Sequence, residues 1–209
     1  MCGRYTTEME TDERQLFEIL MRAEQNTQTS VSSCGKTMTV GREVFPSETA
    51  AVLAGTREGS TDAFAFRWGF DADIGGKRRL LINARAETAA EKAMFAPLLP
   101  AYRCVIPTAG FFEWAHHGDR VISSQKYRFN LPHSGLLYLA GLYRPSLLCP
   151  EKHEFVILTR AANDSMAPIH DRMPVVLREE HIDEYLHDTA SAKKLLCETP
   201  PMLVKRLVS

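Results

Sequence analysis

No stretch of this chain approaches the length and apolarity of a membrane span, and its opening segment runs from Arg4 through Thr6 and Thr7 to Glu8 and Glu10 without an apolar core of the kind a secretory signal carries. A cytoplasmic location is therefore expected. Cys-x-x-Cys pairs are also missing. The five cysteines, Cys2, Cys34, Cys104, Cys149 and Cys197, form an odd and scattered set that argues against a disulfide framework and against a zinc site. The four internal ones read as small hydrophobes, and no metal or cofactor is expected. The chain has no charge excess either. A net charge of −1 gives no global field to attract nucleic acid, so any such binding must come from a local patch. Repeats, low-complexity tracts and linkers are absent, and 209 residues at 44% apolar composition suit one domain, residues 1–209, with a sizeable core.

What is present reads as many short strands and a few helices. Leu16, Phe17, Leu20 and Met21 follow the 3.6-residue period of an amphipathic helix, with Asp12 and Gln15 in capping-box positions. Residues 26–36 read as loop, 44–46 and 49–54 as extended, 55–62 as a turn and 63–70 as a strand. Residues 80–85 predict a further strand, with Leu81, Asn83 and Arg85 on one face and Leu80 and Ile82 on the other. Thr88 and Glu91 make a second capping box, predicting a helix through Phe95 that Pro97 ends. Strands follow at 102–106, 110–114, 127–131, 136–143, 155–159 and 175–177, then short helices at 179–187 and 191–197. This order lacks the alternation of a doubly wound sheet. It predicts an α+β fold with a mainly antiparallel curled sheet or incomplete β-barrel flanked by short helices.

Several residues stand out chemically. If Met1 is removed, Cys2 carries an α-amine and a thiol on one carbon, with ordinary pKa values of about 7.7–8.0 and about 8.5. That pair suits an aldehyde: the amine condenses to an imine, and the thiol then closes a five-membered thiazolidine. Glu113 lies in Gly110-Phe111-Phe112-Glu113-Trp114, where an extended chain sets Phe111 and Glu113 on one face and Phe112 and Trp114 on the other. A carboxylate among aromatics suits acid-base work. His170, between Pro168 and Pro174 and beside Asp171 and Arg172, is placed to move protons. Asn83 offers a neutral donor and acceptor for a sugar or carbonyl oxygen.

Taken in order, Met1-Cys2-Gly3-Arg4-Tyr5, Phe45-Pro46, Arg67-Trp68-Gly69-Phe70, residues 83–88, Arg103-Cys104, Ile106-Pro107, residues 110–114, Ala140-Gly141-Leu142, Ile157-Leu158-Thr159 and residues 170–174 form one constellation. The chain resembles the SOS-response-associated peptidase family of abasic-site processing proteins across nearly its whole length. The resemblance implies that mature Cys2 forms a thiazolidine crosslink with the open-chain aldehyde of an abasic site in single-stranded DNA, with autopeptidase and abasic-site lyase activities alongside. It implies that Asn83 positions the sugar, Glu113 assists proton transfer and His170 aids Schiff-base chemistry and strand incision. Arg4, Arg85 and Arg172 match basic positions near the bound strand, and Thr159 and Pro46 match positions lining the same cleft. A monomer, on the nucleoid when bound to DNA, is implied as well.

One departure is visible. Many relatives place a proline and a wedging tryptophan after the Trp-Gly motif, whereas here Phe70 leads into Asp71-Ala72-Asp73-Ile74-Gly75-Gly76. Lys77, Arg78 and Arg79 follow as candidate phosphate contacts, while Asp71 and Asp73 should repel a nearby strand. Two alternatives stand beside this reading. One is an N-terminal-nucleophile amidohydrolase like the class II glutamine amidotransferases, which also begin Met-Cys-Gly. The other is a noncatalytic DNA-binding protein.

Overall fold

The computed structural model describes residues 2–8, 14–29, 38–117, 120–132, 135–147, 149 and 152–208, with 27–29, 116–117 and 120–124 described for the backbone only. Asp12 and Cys34 lie outside these residues, and the first capping box with them. In chain order the elements are β1 (Tyr5–Thr6), α1 (Arg14–Thr29), β2 (Glu43–Val44), β3 (Thr49–Gly55), β4 (Thr61–Trp68), β5 (Phe70–Ile74), β6 (Lys77–Leu81) and β7 (Asn83–Arg85). There follow α2 (Ala86–Ala89), β8 (Arg103–Thr108), β9 (Gly110–His117), β10 (Arg120–Asn130), β11 (Leu137–Pro145), β12 (His153–Ala161), β13 (Arg172–Pro174) and β14 (Val176–Leu177). A 3-10 turn (Glu179–His181), α3 (Ile182–His187), α4 (Thr189–Leu195) and β15 (Val204–Leu207) complete the chain.

The largest sheet runs β13-β12-β4-β3-β8-β11-β14, and β11 also pairs with β12, so the sheet curls into a partly closed ring. Every pairing in it is antiparallel except those of β12 with β4 and with β7. The expected mainly antiparallel, curled α+β architecture is therefore the observed one. A second sheet, β15-β10-β9-β1-β2, covers the ring, and β5 and β6 form a separate hairpin.

Two-residue alternation divides the apolar residues between two layers. Val52, Phe66, Trp68, Ile106, Leu139 and Ile157 pack with Tyr5, Val44, Phe111 and Phe129 of the second sheet. The intervening residues, Val105, Tyr138, Ala140, Val156 and Leu158, pack against Tyr185, Leu186 and Leu195 of the last two helices.

Several elements depart from the sequence-based expectation. Helix α1 runs on to Thr29, through residues expected to be loop; Asn26, a weak helix former, gains a tertiary bond by donating from Nδ2 to the Ala63 carbonyl at 2.8 Å. Leu16 and Leu20 are buried, while Phe17 and Met21 stay about half exposed. The helix expected from Thr88 to Phe95 starts at Ala86 and ends at Ala89. Beyond it, Glu91 N–H bonds to Thr88 and Phe95 N–H to Lys92, three-residue turns that let Leu99 reach the helical core layer. The expected 80–85 strand breaks at Ile82, where the chain leaves β5 and joins β12. Asp188 caps α4 by accepting the Ser191 N–H at 2.8 Å, which shifts that helix to Thr189–Leu195.

Candidate functional site

Strand β1 lies between β2 and β9, with Tyr5 opposite Val44 on one side and Phe111 on the other. Carried back along the chain, this register sets Gly3 opposite Glu113, and the bond from Phe112 N–H to the Arg4 carbonyl (2.9 Å) continues the pairing. Strand alternation in β9 does the rest. Phe112 and Trp114 lie on the outer face under the Lys126 ammonium, at 4.0 and 5.6 Å from the ring centroids, whereas Phe111 and Glu113 point inward. Glu113 is 4% exposed and Cys2 1%.

Burial, and after it the Glu113 charge, holds the Cys2 thiol far above its ordinary range. The thiol is therefore protonated, and Sγ points at the Arg4 carbonyl, 4.0 Å away. The ordinary value expected from sequence does not apply in this environment.

His170 arrives on the loop between β12 and β13. The bond from Ala162 N–H to the Asp171 carbonyl (2.9 Å) closes that loop, and Met166 and Ile169 anchor it in the same apolar cluster as Cys2. Nε2 of the imidazole lies 3.6 Å from Glu113 Oε1. Its Nδ1 faces two groups with opposite demands. The Arg172 backbone N–H, at 2.9 Å, bonds only an unprotonated Nδ1, while Asp171 Oδ1, at 2.8 Å, accepts only from a protonated one. Nδ1 therefore has a partner whether or not it carries a proton. Asn83 enters from β7, which pairs in parallel with β12, and donates from Nδ2 to the Cys2 carbonyl at 2.9 Å. Its Oδ1 is buried and has no hydrogen-bond partner among the described residues. Cys2, Asn83, Glu113 and His170 thus come from four separate segments into one cluster.

The five remaining candidates surround it. Arg4 lies over the rings of Phe45 (4.3 Å) and Trp114 (4.8 Å) and pairs with Glu43 at 3.3 Å. Pro46 is part of the turn after β2, where Ser47 takes φ 73° and its N–H bonds to the Trp68 carbonyl. Arg85 ends β7, exposed, with no ion-pair partner among the described residues. Arg172 is committed to a fork: its two terminal nitrogens reach the two oxygens of Glu87 at 2.7 and 2.8 Å, and one also donates to the Thr159 carbonyl at 2.7 Å. That guanidinium drives Glu87 down to about 2. Thr159 is fully buried, opposite Arg85 in register, and donates to the Ala84 carbonyl at 3.4 Å.

Sequence reasoning missed Lys126, which ion-pairs with Glu43 beside Arg4, and it missed both carboxylates, Glu43 and Glu87, that restrain the cations. The β9–β10 and β1–β2 registers bring Lys126 to Glu43, and the β7–β12–β13 registers bring Glu87 to Arg172, so no local pattern marks them.

A family model described as SOS response associated peptidase (SRAP) matches residues 1–207. The chain belongs to that family. It is 37% identical over 161 residues to the abasic site processing protein YoaM of Bacillus subtilis, a match covering 69% of this chain and 64% of YoaM. To the abasic site processing protein YoqW of the same organism it is 39% identical, covering 57% of this chain and 52% of YoqW. The chain thus spans about half to two thirds of the length of these curated relatives. In fold it is similar to a crystal structure of a protein from Bacteroides thetaiotaomicron, with TM-score 0.72 and 19% identity over 100% of this chain and 92% of that one.

Proposed function

We propose that this protein captures abasic sites in single-stranded DNA by forming a thiazolidine between mature Cys2 and the deoxyribose aldehyde. The observation that carries the reading is the convergence of Cys2, Asn83, Glu113 and His170 in one buried cluster, within a family whose relatives are named for abasic-site processing. Removal of Met1 by hydrolysis, the autopeptidase step, frees the amine. The amine adds to C1′ of the open sugar and expels water as the imine forms. The thiol then adds across the C=N bond, its proton passing to nitrogen.

In this scheme the raised thiol pKa requires a local acceptor, and Glu113 is the adjacent one. His170 exchanges protons with Glu113 through Nε2, and its two Nδ1 partners let it hold or release a proton at little geometric cost. The buried Oδ1 of Asn83 is an open acceptor for a sugar hydroxyl, a role that accounts for a buried polar atom otherwise left unbonded. Lyase activity would branch from the imine: loss of a C2′ proton expels the 3′ phosphate, and His170 is the assigned base. Arg85 supplies a cationic fork for a phosphate, Arg4 and Arg172 do so on exchanging Glu43 and Glu87 for the strand, and Pro46 and Thr159 shape the cleft.

The test is a denaturing gel of mature protein incubated with an abasic oligonucleotide and with the undamaged strand. A heat-stable band with the abasic strand alone, lost in Cys2→Ser, is the expected result. The same band in Cys2→Ser would rule the thiazolidine out. Release of ammonia from glutamine by the mature protein, with no adduct, would favour the amidohydrolase instead.

A further inference from the structure

The β5–β6 hairpin belongs to neither larger sheet. Its base is held firmly. Phe70 is fully buried under the Arg144 guanidinium, 4.4 Å from the ring centroid, and Arg144 also donates to the Asp71 carbonyl at 2.6 Å. Trp68 donates from Nε1 to the Ile82 carbonyl at 2.9 Å, tying the entry and exit of the hairpin together. Its far end is uncovered, with residues 73–79 all exposed. Gly75 and Gly76, at φ 63° and 76°, supply the two left-handed positions that a two-residue hairpin turn requires. Gly69, at φ 114°, lets the arm fold close: a Cβ there would sit 2.6 Å from Leu80.

Charge on this arm is uneven. Asp71 is neutralised by Arg67 at 2.9 Å, and Asp73 caps the turn by accepting the Gly76 N–H at 2.8 Å. Lys77, Arg78 and Arg79 have no hydrogen bond or ion pair among the described residues. The Asp71 charge is thus offset inside the hairpin and Asp73 lies opposite Arg78 in register, leaving Lys77 and Arg79 facing solvent on the other face. In the register Ile74↔Lys77 and Ala72↔Arg79, Lys77 and Arg79 share one face with Ile74, which is 45% exposed. The two cations stand roughly 7 Å apart along that face. The arm also leads directly to the site, because Ile82 is followed by Asn83, which holds the Cys2 carbonyl, and then by exposed Arg85 at the end of β7.

We propose that this hairpin is a nucleic-acid arm: Lys77 and Arg79 contact successive phosphates of the single strand flanking the lesion, Ile74 covers a base beside them, and Arg78 serves the opposite face. This rests on the abasic-strand reading of the Cys2 cluster. Isolated exposed cations on a rigid arm are the groups through which a nearly neutral protein gains a salt-dependent grip on a polyanion.

The test compares wild type with Lys77→Gln/Arg79→Gln on abasic single strands with long flanks and on strands trimmed to the nucleotides next to the lesion. Binding is followed against salt and adduct yield on gels. On long flanks the double variant should lower the slope of log K against log salt by about 1.4, at about 0.7 for each single-strand phosphate that the protein ceases to neutralise. On the trimmed strand both proteins should give equal adduct yield. An unchanged slope on long flanks with normal adduct formation would overturn the arm. A reduced slope with no adduct from either protein would support the arm and place the fault in the Cys2 reading.

Discussion

Glu113 affects Cys2 in two opposite ways, and this gives the sharpest test at the scale of single residues. As a charge it raises the thiol pKa; as a base it would take the thiol proton during ring closure. Glu113→Gln removes both effects. Alkylation of Cys2 followed against pH should then shift to lower pH, because the thiol is easier to ionise, while crosslinking slows by about 10²–10⁴-fold. Both rates falling together would instead indicate a collapsed site. His170→Ala should impair strand incision more than final adduct yield, measured as a time course of nicked strand and adduct. Equal rates for His170→Ala and wild type in both steps would remove the histidine from the mechanism.

Glu87 gives a pH prediction with a definite sign. Its folded value, lowered to about 2 by Arg172, lies below that of a free carboxylate, so its contribution to stability is complete above about pH 4.5 and is lost as pH falls toward 2. Glu87→Gln should flatten that part of the acid unfolding curve, read by circular dichroism. An unaltered acid limb would show that the fork contributes nothing net.

At the scale of elements, Arg103 shows how the helical layer is fixed. It is 2% exposed, and burial lowers its pKa, yet among the described residues no carboxylate forms an ion pair with it. Its guanidinium donates to the carbonyls of Leu99, Tyr185 and Leu186 and to Thr189, at 2.5 Å for Tyr185 and 2.8 Å for Leu186, clamping the end of α3 to the ring. A cation at a helix C-terminus is favourably placed against the backbone dipole. Arg103→Leu strands several buried carbonyls and should cost about 3 kcal/mol or more in denaturant unfolding. Arg103→Lys should recover part of it, since one ammonium cannot span all three. A loss under about 1 kcal/mol for Arg103→Leu would mean that the carbonyls find water.

The same scale explains what the sequence could and could not reveal. Strands β3 and β11 were legible as short continuous apolar runs because both of their faces are buried, one toward the second sheet and the other toward the helices. Helices α1 and α2 were misjudged at their ends, where a tertiary bond from Asn26 and tight turns after Ala89 override local propensity. Strand β15, Val-Lys-Arg-Leu and exposed at all four residues, has no two-residue apolar alternation to mark it, and it pairs with β10.

For the molecule as a whole, Cys2, Asn83, Glu113 and His170 could each be singled out in the sequence, but their meeting depends on two sheets and one anchored loop. Long-range register supplies that geometry: β1 against β9, and β7 against β12. Carboxylates that restrain the cations, and the hairpin that projects beside Asn83, emerge at this scale alone. The measurement that bears most directly on the proposed activity is the intact mass of Met1-free protein after incubation with an abasic single strand, before and after borohydride. Condensation followed by thiol addition loses one water in total, so a species equal to protein plus oligonucleotide minus one water is expected, unchanged by reductant because the closed ring has no C=N bond. A species that gains two hydrogens on reduction would be an open imine, and no adduct at all from mature protein would leave the Cys2 cluster without the chemistry proposed for it.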